Sequence, residues 1–137
     1  MAIDNHKNKV YVPHNFFSSL RIAINGLMLI IKNERNFRIQ LVVATIIGIL
    51  GLFLDFSHLD WVAIGLLVTL VLISEAFNSV VEALSDTISQ EYRVNIKYAK
   101  DVSAGAVLIS ATASVIAGGL IILPYVVNYL RVLGIIS

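Results

Sequence analysis

Cysteine is absent from this 137-residue chain. That excludes disulfides, thiolate nucleophiles and thiolate metal ligands, and it leaves the redox compartment open. Charge is scarce too. Asp, Glu, Lys and Arg make up 14% of the residues, against roughly a quarter in a soluble domain. Hydrophobic residues account for 58%, with a mean hydropathy of +0.85. One small domain has too little interior to hide so much apolar side chain from water. The bilayer must therefore serve as part of its solvent. The net charge of +1 says nothing about nucleic acid, and none is expected as a partner. The first 14 residues are polar, and no small-residue cleavage pattern follows the first apolar run, so no removable signal peptide is expected. There is no internal repeat and no glycine-rich phosphate loop ending in Gly-Lys-Ser/Thr.

The positions of the few charges divide what is there. Val102 to Leu130 is a run of 29 residues without a charge, and about 20 apolar residues suffice to cross a bilayer. Pro124 marks a kink or the approach to its outer end. Ile39 to Leu54 is interrupted only by Gln40 and is extended by Phe37. Trp61 to Leu84 is long enough to span, although it contains Glu75 and Glu82. Phe16 to Lys32 differs from these. Its polar residues Ser18, Arg21, Asn25 and Lys32 follow at steps of 3, 4 and 7, one stripe at about 100° per residue. That pattern suits a helix lying in the membrane interface, the alternative being a fourth span. Thr87 to Lys100 repeats the pattern more weakly and reads as a second short surface helix. The expected fold is thus an all-α membrane protein with an N-terminal amphipathic surface helix (about 15–33), spans at about 37–54, 60–85 and 102–130, and the short surface helix between the last two. Residues 1–137 read as one membrane-embedded domain.

Lys7, Lys9, Arg21, Lys32, Arg35, Arg38, Arg93, Lys97 and Lys100 cluster about the start of the first span or between the second and third. The loop from Asp55 to Asp60 has no basic residue, and Arg131 is a mild exception. By the positive-inside rule the N-terminus and the 86–101 segment face the cytoplasm, and the C-terminus faces out.

Glu75, Asn78, Glu82 and Asp86 sit at offsets of 0, 3, 7 and 11, within roughly 80° of one another on a helix. A carboxylate at bilayer depth costs roughly 3 kcal/mol on insertion scales. A polar seam between helices is the bland explanation, but three carboxylates repel one another unless cations intervene. Oxygen donors alone, without Cys or a His cluster, point to Mg²⁺ or another hard ion. With Arg93, Lys97 and Lys100 nearby, the stripe suits a metal-bound polyphosphate. It also suits a proton or cation pathway. A single chain has few helices with which to cover such a stripe, so neighbouring subunits are expected to complete the cover.

The segment Glu75 to Asp86 (EAFNSVVEALSD) resembles the E-x-x-N-[ST]-x-x-E-x-x-x-D signature of the prokaryotic diacylglycerol kinase family, which includes the undecaprenol kinases. The resemblance continues through Glu91 and Tyr92, Ala99 to Asp101, and the small-residue start Ser103 to Ala106. Upstream, Asn33 to Arg38 (NERNFR) is similar to the family's segment before its first span. The resemblance implies a homotrimer that transfers the γ-phosphoryl group of Mg²⁺-bound ATP to the hydroxyl of a membrane lipid in the bacterial cytoplasmic membrane. It implies Glu75 as general base and Glu34 and Glu82 as metal ligands. Asn78, Glu82, Glu91, Tyr92, Arg93, Lys100 and Asp101 fall at nucleotide-contacting positions, with Asp86 in support. Some features depart from the pattern. Arg21 and Ile22 occupy a region where an aromatic or basic residue is expected, and Val94 and Ile96 replace polar groups of some members. Gln40 replaces an acid found in some members. The wording of Asn33 to Arg38 and Gln40 lean toward the undecaprenol kinase branch. An ion- or proton-handling membrane protein and a catalytically silent assembly subunit are the rival readings.

Overall fold

The computed structural model describes residues 15–88 and 94–136. Four helices follow in order: α1 (Phe16–Asn33), α2 (Arg35–Phe53), α3 (His58–Ile88) and α4 (Val94–Val132), with no strand among the described residues. The last three are long and apolar enough to cross a membrane. Among the described residues only Phe37, Phe56 and Ile64 are buried apolar side chains, while Leu66, Phe77, Ile109 and Leu120 are about two-thirds exposed. The hydrophobic surface therefore faces outward, as it must where lipid is the solvent. Thr45, Thr69, Ser74 and Thr87 each donate a hydroxyl to the carbonyl four residues earlier, which satisfies these groups without water. The chain is a multi-pass membrane protein with the all-α architecture read from its hydropathy.

α1 begins where Asn15 adopts an extended conformation and its side chain accepts from the Ser18 amide at 2.8 Å. Ser18 accepts in turn from the Asn15 backbone, closing a capping box. The helix ends at Glu34, whose extended φ/ψ of −96°/113° breaks the chain direction before α2. Arg38 seals this corner. Its guanidinium donates to the Ile31 and Lys32 carbonyls at 3.1 and 2.7 Å, the acceptors a helix C-terminus leaves unpaired. Phe37, in the first turn of α2, is 4% exposed.

α2 closes with Asp55 at φ 55°, a left-handed position usually taken by glycine and tolerated by Asp. The Phe56 amide reaches back to the Gly51 carbonyl at 3.1 Å, and Phe56 stacks between Trp61 and Tyr125 at centroid distances of 5.7 and 4.8 Å. α3 and α4 then run antiparallel without slipping. Ser103 meets Asn78 near one end, and Ser114 reaches the Leu67 carbonyl further along. Gly118 packs against Ile64, and Tyr125 meets Ser57 at the other end. From Asn78 to Leu67 and from Ser103 to Ser114 the step is eleven residues on each helix.

The stretch expected as a second surface helix is divided differently. Thr87 belongs to α3, while Val94 to Lys100 form the opening turns of α4; residues 89–93 lie outside the described part. No Pro or Gly stands between Val94 and Ala104, so nothing stops helix propagation from the amphipathic turns into the apolar run. Pro124 likewise falls inside α4, which continues to Val132.

Candidate functional site

Helical periodicity puts Glu75, Asn78, Glu82 and Asp86 on one side of α3, and the neighbouring helices meet that side in turn. Glu75 is 2% exposed. Its Oε2 accepts from the Gln40 side-chain amide of α2 at 3.3 Å. Asn78, also buried, bridges two helices: its Oδ1 accepts from the Ser103 hydroxyl of α4 at 2.7 Å, and its Nδ2 donates to Glu82 Oε1 at 3.3 Å. Lys100 of α4 pairs with Asp86 at 2.9 Å. Along the stripe, burial falls steadily. Glu75 is enclosed and Glu82 half-buried, and the Asp86 side chain is 73% exposed. The arrangement joins an enclosed carboxylate to an open, mixed-charge end.

Part of the cover that the sequence left to neighbouring subunits is supplied by the chain itself. α2 and α4 of the same chain enclose Glu75 and Asn78, because the antiparallel packing lays one amide and one hydroxyl against the polar face of α3. Only the Asp86 end stays open.

The remaining expected residues divide into three groups. Glu34 sits, half-buried, at the α1–α2 corner. Lys100 and Asp101 lie in the opening turns of α4, with Asp101 3.8 Å from Lys97. Glu91, Tyr92 and Arg93 lie outside the described residues. Among those described, no three His, Cys, Asp or Glu side chains gather as a metal cluster. Two participants escape a reading of the sequence. Gln40 is marked in the sequence as an interruption of the first span and a departure from the family pattern, not as a partner of Glu75, and Ser103 only as one small residue among several. A polar side chain inside an apolar span is itself the signal that could have found Gln40.

The same stretch carries the likeness to known proteins. The family model for prokaryotic diacylglycerol kinase matches residues 21–122, which hold Glu34, the α3 stripe, Lys100 and Asp101. A diacylglycerol kinase of Synechocystis is 37% identical over 123 residues, covering 86% of this chain and 68% of that protein. An undecaprenol kinase of Bacillus subtilis is 33% identical over 124 residues, covering 90% of this chain and 98% of that protein. A diacylglycerol kinase of Escherichia coli K12 is 36% identical over 84 residues, covering 61% and 69% respectively. With the matched stretch running from within α1 far into α4 and containing the whole described stripe, the chain belongs to the prokaryotic diacylglycerol kinase family.

Proposed function

We propose that this chain is a lipid kinase of the bacterial cytoplasmic membrane, moving the γ-phosphoryl group of Mg²⁺-bound ATP onto the hydroxyl of undecaprenol or diacylglycerol. The observation that carries the reading is Glu75, a carboxylate 2% exposed on a membrane-spanning helix and continued by polar groups to an open, charged end. Membership of a kinase family and the names of its relatives support the activity.

The hydrophilic donor approaches from the Asp86 end, which the basic residues make cytoplasmic. The lipid hydroxyl approaches from the Glu75 end. Seven residues separate Glu75 from Glu82, about 10 Å along the helix, so one stripe serves a water-side donor and a membrane-side acceptor. The lipid oxygen attacks the γ-phosphorus, the bond to the β-phosphate oxygen breaks and ADP leaves. The hydroxyl proton passes to the Glu75 carboxylate. Lys100 supplies positive charge for the phosphates, and Asn78, Asp86, Glu91, Tyr92, Arg93 and Asp101 complete the nucleotide site.

Mg²⁺ in such sites is held by one or two carboxylates together with the substrate's phosphates. A set of two, Glu34 and Glu82, fits that demand without a three-carboxylate cluster. Packing register supports the pairing. Six residues back from Gln40 lies Glu34 and seven forward from Glu75 lies Glu82, so antiparallel packing from the Gln40–Glu75 contact brings both toward one level. Bound there, the ion would neutralise charge on the transferring phosphoryl group.

A homotrimer is part of the proposal, and the mass of the detergent-solubilised protein tests it; a fully active monomer excludes shared sites. The activity test is purified protein with Mg²⁺, ATP and the two lipids at equal mole fraction. Phosphorylation of undecaprenol in preference to diacylglycerol is expected. The opposite preference reverses the choice of lipid, and phosphorylation of neither removes the kinase reading.

A further inference from the structure

Beyond Arg38, α2 carries only two polar side chains. Thr45 is bonded to its own helix backbone at 2.8 Å. The other, Gln40, spends its amide N–H₂ on Glu75 at 3.3 Å. Its carbonyl oxygen Oε1 is shut off from solvent and has no hydrogen-bond partner, alone in this among the side-chain N and O atoms of the described residues. A buried acceptor without a donor is destabilising, and folded proteins rarely keep one. Nothing nearby relieves it. Gln40 borders an apolar crevice of about 210 Å³ between α2, α3 and α4, whose other polar side chain, Ser114, already donates to the Leu67 carbonyl.

The amide has two faces, and each suits a different Glu75. With N–H₂ toward it, Gln40 complements a charged carboxylate. Turned half a revolution about its last torsion, it offers Oε1 instead, the acceptor that a protonated Glu75 requires. A neutral amide therefore matches the base both before and after it takes a proton. We propose that Gln40 is the positioning residue of the Glu75 base, holding the carboxylate through its N–H₂ before phosphoryl transfer and receiving the Glu75 O–H on its carbonyl afterwards. This rests on reading Glu75 as the base. No bond other than hydrogen bonds changes at Gln40; the proton stays on Glu75 until it leaves to solvent or phosphate.

On the elements around Glu75, Asp60 and His58 open α3 and Arg131 closes α4 at the far end, and the other charged groups all lie toward the Asp86 end of the stripe. They are Glu82 and Asp86 on α3, Arg35 and Arg38 at the start of α2, and Lys97, Lys100 and Asp101 at the start of α4, with Arg21 and Lys32 on α1 and Glu34 at its corner. From Val102 to Leu130 α4 has none. The immediate companion of Glu75 in the bilayer is thus a neutral amide, and changing that amide changes the proton equilibrium at the site.

Two variants test this, measured against pH with Mg²⁺, ATP and the preferred lipid. Gln40→Glu has the same shape but sets a second carboxyl against Glu75, and Gln40→Leu fills the site with no hydrogen-bonding group. Both should move the rising limb of the kcat profile to higher pH, Gln40→Glu by about one unit or more, and lower kcat near neutrality by about tenfold. KM for ATP should stay unchanged. Should a variant turn over too slowly for a profile, the infrared band of the protonated Glu75 carboxyl, identified as the band missing in Glu75→Gln, reads the same shift. If either folded variant keeps the wild-type profile, or loses rate without moving it, Gln40 is merely structural and the proposal falls. Glu75→Gln, run in parallel, separates the two failures. Full activity there removes the base itself, whereas an inactive Glu75→Gln beside unshifted Gln40 variants removes only the role of Gln40.

Discussion

At the α2–α3 turn, polar groups close on one another within the chain. The Tyr125 hydroxyl accepts from the Ser57 amide and donates to Asp60 Oδ2, which also accepts from the Ser57 hydroxyl. Phe56, Trp61 and the bare backbone of Gly51 pack beneath. At the opposite end of the bundle, the α3 stripe keeps capacity in reserve. Gln40 Oε1 has no donor, and Glu75 and Glu82 each have carboxylate capacity beyond one weak 3.3 Å bond from a neighbouring amide. Both ends join helices, yet only the turn is complete in itself. A region built for rigidity spends its hydrogen bonds internally, whereas one built for chemistry must leave acceptors for groups that arrive.

The comparison breaks most severely at Glu75. Glu75→Gln keeps the shape and removes the proposed proton acceptor, so kcat should fall by about 10²–10⁴-fold while circular dichroism shows the helices intact. Undiminished turnover would place the base elsewhere. Next comes the proposed metal pair. Glu34→Ala and Glu82→Ala should each weaken Mg²⁺-dependent ATP binding by about tenfold or more, read by titration; normal affinity in both variants eliminates this pair as the Mg²⁺ site.

The turn should answer in stability instead of rate. A Cβ on Gly51 would stand 2.8 Å from Phe56 Cδ2 and 2.9 Å from Trp61 Cη2, so Gly51→Ala should cost about 1–3 kcal/mol through overpacking. Unfolding in detergent measures it, and the kcat of the folded fraction should not change. Tyr125→Phe is the gentlest probe. It keeps the stack on Phe56 and removes the hydroxyl that ties α4 to Ser57 and Asp60. The melting temperature should drop modestly without a change in kcat or in KM for ATP. A loss of rate from this variant would mean that the two ends are coupled and that the contrast between them is too simple.

Local physics made much of this molecule readable in advance. Bilayer thickness sets the length of a span, and the predominantly apolar runs near 37–54, 60–85 and 102–130 overlap α2, α3 and α4, with α4 beginning eight residues before its run, at Val94. Helical periodicity put the four polar residues of α3 on one face before any neighbour was known, and the steps of Ser18, Arg21, Asn25 and Lys32 did the same for α1. Each of these depends on residues close in the chain. The partners do not. Gln40 meets Glu75 across 35 residues and Ser103 meets Asn78 across 25, and both contacts depend on how far one helix slides along another. Hydropathy is blind to such a slide, since a shift by one turn leaves every span as apolar as before. Arg38 shows the same divide. Its sequence marked it as a positive charge beside the membrane, and the corner at Glu34 turned it into the cap of α1. The sequence by itself determined that three apolar segments lie in lipid and that one carries acids. Tertiary structure decided that α2 and α4 of the same chain would enclose the deepest acid and give it an amide for company, because burial and hydrogen bonding between helices follow from packing register.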